Sequence, residues 1–480
     1  VQVAPPAFHW QAGRTVCMLI EISHRAILAK VRMTAGYGVT FHFHWPWERR
    51  APKLFSCVSK IRWFGMQQGA QQVIVIGGGV VGLTSAWWLL EAGFGVTLVE
   101  RAREVATGAS KANGGQLSYR YVSPLADAGV PLKAIEWLFQ EHGPLRFKLE
   151  LDLRQWTWLA RFLGQCTAAA NRRTTAKLLE LGELSRAGMK QLDAIISPAD
   201  FAWRDAGKLV VYRSSKIFEQ AAGKATAGDI WSGAECAQRE PALAAARSLL
   251  AGGIYNGGEA VADCHAFCVK LAERVRAHPR FNGFIQAEVT RIVAHGGRVV
   301  GLDTNVGAIG GDAFVLAAGI QSRNLASQVG IKLPLYPLKG YSLSAPIRPG
   351  DTAPEISVTD FERKVLYARI GDTLRVAAMV DLVGEDLALN PKRIGSLTRQ
   401  VKETMPHAAD YEHLSAWAGL RPATPNSAPI VGASPLSNLW LNVGHGPLGF
   451  TFAAGTARIL ANLMGGKAPP FALDMLALRH

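Results

Sequence analysis

The six residues Gly77-Gly78-Gly79-Val80-Val81-Gly82 constrain this chain more than any other stretch, because of what flanks them. An apolar β-branched run, Val73, Ile74, Val75 and Ile76, comes before. After them, residues 83–92 open with Leu83, Thr84, Ser85, Ala86 and Trp87, are apolar on most faces, and stop at Gly93. A second β-branched run, 96–99, ends at Glu100. Strand, glycine turn, helix and strand within about 30 residues make a complete β-α-β unit. Gly77 permits the tight turn, Gly79 lets the backbone approach a pyrophosphate without a Cβ clash, and Gly82 allows close packing of helix on strand; Gly78 completes the turn. The helix N-terminus offers free N–H groups and the positive end of its dipole to phosphates. Glu100, 23 residues beyond Gly77, stands where a carboxylate binds adenosine ribose hydroxyls, which fits FAD or NAD and argues against NADP.

The following loop, 107–116, favours FAD. Small and polar residues dominate it, Ser110, Asn113 and Gly114 among them, so it can pass close to a large flat ring and supply hydrogen bonds. An ordinary surface loop has a similar composition.

Downstream, 130–200 reads as helical and 209–212 as a strand. Residues 262–277 read as a helix with Asp263 as N-cap. A meander follows over 287–294 and 298–304 with a third short strand, and a buried strand over 313–317 leads to Gly319. Strand-like runs occupy parts of 335–384, and 439–442 is a last short strand. A second glycine-rich turn, 444–449, carrying Gly446 and Gly449, opens a helix over 450–464. Alternating strands and helices predict an α/β fold: a discontinuous Rossmann-type FAD-binding domain over 71–125, 255–325 and 415–480, with a second, α+β substrate domain over 126–254 and 326–414.

Length and composition bound the alternatives. The 480 residues suggest two or three domains, and 49% apolar with 19% charged residues excludes wholesale disorder. Six cysteines with no C-x-x-C pair exclude a disulfide scaffold. Cys264 and Cys268 read as packing residues, and no metal site is expected. No uncharged apolar run reaches the roughly 18 residues of a transmembrane helix. The net charge of +15 is concentrated at the N-terminus, where 1–65 hold nine Lys and Arg against two acids. The rest forms no recognition stripe, so nucleic acid is not an expected partner. Residues 1–65 show no sustained period and read as a non-native or disordered extension, with Met66 a candidate start. A targeting segment or a functional extension are the alternatives, and His42 with His44 make only an incomplete metal site.

Five stretches resemble one family closely: 110–118 (SKANGGQLS), 124–139 (PLADAGVPLKAIEWLF), 336–343 (YPLKGYSL), 419–432 (GLRPATPNSAPIVG) and 439–449 (LWLNVGHGPLG). They are similar to the FAD-dependent D-amino acid dehydrogenases (small, flavin-bearing chain), within the wider D-amino acid oxidase-like group. The resemblance covers most of 72–475. It implies oxidation of D-amino acids, D-alanine-like ones included, to 2-oxo acids and ammonia, with FAD as cofactor and 73–87 as its binding signature. It also implies electron transfer to a quinone-type acceptor, by a cytoplasmic protein or one peripheral on the inner face of a bacterial inner membrane. Two departures stand out: 1–65 has no counterpart, and 218–231 is shorter than usual in that family.

Three residues are candidates for the substrate site. A carboxylate substrate needs a cation, and the planar fork of Arg suits it. Arg421, between Leu420 and Pro422 in the Gly-Leu-Arg-Pro motif, is the expected anchor, as the resemblance to glycine-type oxidases also implies. His445, in the second glycine turn, is placed to contact the flavin or to be a satisfied loop histidine. Tyr341 and Lys339, two apart on one strand, share a sheet face and either line the pocket or pack in the core. No residue stands out as a catalytic base, and none is needed if a neutral amine gives its Cα hydride directly to the flavin. The competing expectations are an oxygen-using amine or imino acid oxidase of the same fold, and a non-catalytic flavoprotein.

Overall fold

The computed structural model describes residues 15–22, 25–34, 38–44, 70–138, 143–225 and 228–478. The chain divides into two units, Val1–Gln68 and Gly69–His480. In the first, strands Thr15–Ile22, Arg25–Thr34 and Gly38–His44 form an antiparallel meander. Its register pairs Val16 with Val31 and Val31 with Phe41. The sequence reading found no period here. The signal it passed over is the short alternation of Val39, Phe41 and Phe43 with Thr40, His42 and His44, one strand long. The rest of 1–65, and the side chains of His42 and His44, lie outside the described residues.

The larger unit holds the β-α-β element. Strand Gln72–Ile76 runs into helix Val80–Glu91 and strand Gly95–Glu100. The six-stranded sheet they build has the spatial order Phe281–Gln286, Gly95–Glu100, Gln72–Ile76, Ala313–Leu316, Leu439–Val443, Ile430–Ala433. All neighbours are parallel except the last pair. Its two innermost strands, Gln72–Ile76 and Ala313–Leu316, are apolar apart from Gln72, as a sheet covered on both faces requires. Val73 and Val75 face one core, with helices Val80–Glu91, Cys264–Ala277 and Gly449–Met464, while Ile74 and Ile76 face a second. Asp263 caps helix Cys264–Ala277 by accepting from the Ala266 N–H at 2.9 Å, and Cys264 and Cys268 are buried core residues.

A nine-stranded sheet, mostly antiparallel, stands beside it. Its order is Ser415–Ala423, Tyr336–Pro346, Thr373–Leu382, Val365–Ile370, Ser357–Asp360, Lys208–Tyr212, Gly252–Asn256, Asp229–Ser232, with Leu145–Phe147 paired alongside Thr373–Leu382. Residues 415–423, expected in the nucleotide-binding part, form an edge strand of this sheet. This strand pairs instead with Tyr336–Pro346 across nine residues, because its partner lies some 80 residues away and leaves no local trace. The expected helical stretch 130–200 is three helices, Val130–Leu138, Leu153–Gln165 and Ala168–Leu192, broken by the short strand Leu145–Phe147.

Candidate active site

A cavity of about 1720 Å³ runs from the glycine turn to the face of the large sheet. It exceeds the few hundred to ~1,000 Å³ of a drug-sized ligand site. At one end the turn is built as its sequence demands. Gly77 has φ +112°, and a Cβ there would lie 2.5 Å from the Ala317 carbonyl oxygen; a Cβ on Gly82 would lie 1.8 Å from the Gly77 oxygen. Gly79 differs. It lines the cavity, and its nearest protein obstacle to a Cβ is the Ser110 hydroxyl at 3.5 Å. The space kept free there belongs to a ligand.

Glu100 lines the same end. Its carboxylate accepts from the Gly78 N–H at 2.6 Å and the Ala102 N–H at 3.0 Å, so it is fixed before any ribose arrives. The Ser110 hydroxyl accepts from the Val80 N–H at 3.1 Å, tying the following loop to the helix N-terminus. Asn113 Oδ1 accepts from the Gly115 N–H at 3.0 Å. Gly114 packs against the large sheet, where a Cβ would crowd Ala377 and Leu366. Free space at Gly79, a fixed carboxylate and unpaired helix N–H groups fit a dinucleotide, with the loop at 110–116 available to a flat ring.

Farther along, the large sheet presents Arg421. Its Nη1 donates to the Met379 carbonyl at 2.9 Å. Met379 has φ +69°, at a bulge where the pairing between Tyr336–Pro346 and Thr373–Leu382 shifts register. A β-bulge re-aims the groups around it, and this one turns a carbonyl onto the guanidinium. Gly340, on the neighbouring strand, makes room: a Cβ there would lie 2.2 Å from Arg421 Nη2. Among the described residues no carboxylate forms an ion pair with Arg421. Burial lowers its pKa to about 10, opposed by the Asp381 charge, so it stays cationic at neutral pH and lines the cavity without an ion pair of its own.

Tyr341 also lines the cavity and is buried. Its hydroxyl donates to Asp381 Oδ2 at 3.0 Å, and Arg393 Nη2 donates to Asp381 Oδ1 at 2.6 Å. Burial, then the Asp381 charge, raises the Tyr341 pKa. The hydroxyl thus lies on the face that packs against helix Pro391–Thr404, with Leu397 and Val401, away from the face on which Gly340 meets Arg421. Lys339 shares this face as expected, 5.3 Å from the Tyr341 ring. Its Nζ is engaged by Asp386 and the Ala388 carbonyl, outside the cavity lining.

The second glycine turn brings Gly444, His445, Gly446 and Gly449 to the cavity at the start of helix Gly449–Met464. His445 Nε2 lies 3.0 Å from Thr456 Oγ1. That hydroxyl donates to a helix carbonyl, Phe452 or Ala453, which leaves it to accept from His445 Nε2–H. Burial lowers the His445 pKa to about 3, so the ring is neutral. Gly319, with φ +58°, also lines the cavity.

The structure does not bring every signature residue to the cavity. Ile76, Val80 and Val81 line it, while Val73, Ile74, Val75 and Leu83 are core. Thr84 bonds back to the Val80 carbonyl at 2.8 Å, Ser85 to Val81 at 2.7 Å, and Ala86 is fully buried. Trp87 stands edge-on to His278. Gly78 acts from behind, through Glu100. Sequence reasoning missed Lys208, a buried lysine in the cavity wall. Its Nζ contacts Gln116 Oε1 and Ser118 Oγ, both at 3.1 Å, and lies 4.1 Å from the Tyr121 ring centre. Burial lowers its pKa to about 8. A lone lysine in a strand carries no sequence signal that separates it from a surface lysine.

Residues 72–463 match the family described as DAO, FAD dependent oxidoreductase. The chain is 47% identical to D-amino acid dehydrogenase 2 of Pseudomonas aeruginosa, over 83% of this chain and 96% of that one. It is 37% identical to the D-amino acid dehydrogenase of Neisseria meningitidis, over 85% and 99%. Among solved structures it resembles glycine oxidase from Geobacillus kaustophilus, with a TM-score of 0.65 and 20% identity over 86% of this chain and 100% of that one. That last likeness is one of fold.

Proposed function

This chain belongs to the DAO family of FAD-dependent oxidoreductases, and from that premise we propose that it oxidatively deaminates D-amino acids to 2-oxo acids and ammonia, passing electrons to a quinone-type acceptor. The observation that carries the reading is the buried Arg421 guanidinium at the cavity wall, which among the described residues has no ion pair. A buried cation without a carboxylate partner is costly unless a ligand supplies one, and the α-carboxylate of an amino acid does so.

Each residue then has a task. Arg421 holds the substrate carboxylate, and the Met379 carbonyl fixes the angle of its fork. Gly79, Glu100 and the first turn of helix Val80–Glu91 hold the pyrophosphate and ribose of FAD. Bound there, FAD would supply two-electron acceptor chemistry for oxidation of the substrate Cα–N bond. The N-terminus of helix Gly449–Met464 offers its positive dipole end to charge developing nearby. Neutral His445 adds no charge of its own. With the substrate amine bound neutral, the imine product hydrolyses in water and the chain needs no further base.

Anaerobic reduction of the bound flavin by a panel of D- and L-amino acids tests this. Bleaching by D-amino acids, with little peroxide formed in air, is the expected result. Abundant peroxide favours the oxidase alternative, and flavin that no amino acid reduces favours a non-catalytic role.

A further inference from the structure

Besides Arg421, the cavity wall carries the lysines Lys133, Lys208 and Lys364. Among the described residues none of these lysines forms an ion pair. Lys364 is placed by strand register. Ala378 pairs with Tyr341 on one side and with Val365 on the other. Met379, whose carbonyl holds Arg421, follows Ala378, and Lys364 immediately precedes Val365. Neighbouring strands lie about 5 Å apart, so Lys364 leaves the backbone one strand beyond the residue that orients Arg421. Both residues have positive φ, +56° for Lys364 and +69° for Met379, a conformation that breaks the regular alternation of side chains along a strand. The Lys364 ammonium stands 3.8 Å over the Phe361 ring centre. Among the described residues it has no hydrogen-bond acceptor.

The acids whose charge reaches Lys364 are bound elsewhere. Glu362 accepts from the Arg213 and Ser214 N–H groups, each at 3.1 Å. Asp360 accepts from the Arg213 side chain at 2.7 Å and from the Arg363 N–H at 3.0 Å. Asp127, itself a lining residue, accepts from the Ala128 N–H at 2.7 Å. Burial, then the charge of Lys133, lowers the Lys364 pKa to about 8, which leaves it mostly protonated at neutral pH. Lys208 is more deeply buried, two strands farther along the sheet. The carboxylate whose charge it feels, Glu259, accepts from the backbone N–H groups of Tyr119, Arg120 and Tyr121. Between the two lysines the wall is Thr359, Phe361 and Tyr121, and the two rings belong to one apolar cluster. An arginine at one end, an aromatic wall and two ammonium groups beyond it fit a ligand with one carboxylate at its α-carbon and a second at the end of its side chain.

We propose that Lys364 and Lys208 form a second anion subsite, which selects D-amino acids whose side chain ends in a carboxylate, the D-glutamate class, over neutral ones of the same size. The inference rests on the function proposed above, in which Arg421 takes the α-carboxylate.

The experiment takes the full-length flavin-loaded protein and its Lys364→Met, Lys364→Glu and Lys208→Met variants. Values of kcat/KM are measured with a soluble dye as acceptor, for D-glutamate, its isosteric amide D-glutamine, D-alanine and D-lysine. The wild type should prefer D-glutamate to D-glutamine. That ratio should fall on the order of tenfold in each methionine variant. It should fall further in Lys364→Glu, where D-lysine should gain. A wild type that takes D-glutamate no better than D-glutamine, or a ratio that none of the variants moves, overturns the subsite, while turnover of D-alanine in the same protein upholds the functional reading. Flavin that no D-amino acid reduces overturns both. Loss of flavin from a folded methionine variant places that ammonium against the cofactor and overturns its assignment to the substrate side chain.

Discussion

The Tyr341 hydroxyl donates to Asp381 at 3.0 Å on the sheet face that packs against helix Pro391–Thr404. Tyr341→Phe should remove one buried hydrogen bond to a carboxylate and leave the Asp381–Arg393 pair intact. A hydrogen bond to a charged group is worth about 1.5–3 kcal/mol, so thermal denaturation should show a loss of that order, with flavin content and kcat/KM unchanged. Asp381→Asn should cost more, about 3–5 kcal/mol, because it strips the buried Arg393 of its carboxylate. A large fall in kcat/KM in a stable Tyr341→Phe would put the hydroxyl in the site instead.

Arg421 and Gly340 make a second coupled pair. Arg421→Ala should cost about 3–5 kcal/mol in transition-state stabilisation, two to three and a half decades in kcat/KM; Arg421→Lys should cost less. An amino acid amide, lacking the carboxylate, should lose far less than the acid. Gly340→Ala should imitate a mild version, since its Cβ would press on the guanidinium at 2.2 Å. Steady-state kinetics of acid and amide substrates across the three variants check this. Acid and amide suffering alike in Arg421→Ala would move the carboxylate anchor elsewhere.

Gly79→Val should yield a folded protein without flavin. The added side chain meets no protein atom nearer than 3.5 Å at its Cβ, so the chain tolerates it and only the pyrophosphate is displaced. Gly77→Val should instead impair folding, because its Cβ would strike the Ala317 carbonyl and its φ of +112° is hostile to a β-branched residue. Absorbance of the purified variants distinguishes them. A full flavin spectrum in folded Gly79→Val would sink the cofactor assignment.

Lys208 gives a pH signature. Its pKa is about 8 in the folded chain against 10.5 for a free lysine. Between those values the unfolded chain binds the proton and the folded chain does not, so stability from this group rises with pH across the window. Below about pH 8 the buried charge costs up to about 3 kcal/mol. Lys208→Met should therefore raise stability at pH 7, and its advantage should shrink to nothing above pH 10.5. Denaturant midpoints at pH 7, 9 and 10.5 read the difference; a constant offset would show that charge burial is not its source.

His445 runs to the acid side. With a folded pKa of about 3 against 6.5, the unfolded chain alone takes up the proton as pH falls below 6.5, and stability declines towards pH 3. His445→Asn should flatten that decline by a few kcal/mol at its low-pH end. Unchanged acid denaturation would mean that the ring is not held neutral.

The sequence by itself determined the glycine turn, its helix, Glu100 and the second turn at 444–449, because each is a contiguous run whose backbone chemistry is complete within a few residues. It also nominated Arg421, Tyr341 and His445, since their neighbours in the chain restrict them. It could not place them. The fork of Arg421 is set by Met379 and Gly340, which reach it only through strand register and a bulge. The proton of Tyr341 is aimed by Asp381, 40 residues on. The burial of Lys208 and the packing of the Tyr341 hydroxyl beneath helix Pro391–Thr404 arise only in the folded chain. Burial, charge compensation and hydrogen-bond direction are properties of what surrounds a side chain, and here those surroundings come from strands and helices far apart in the chain.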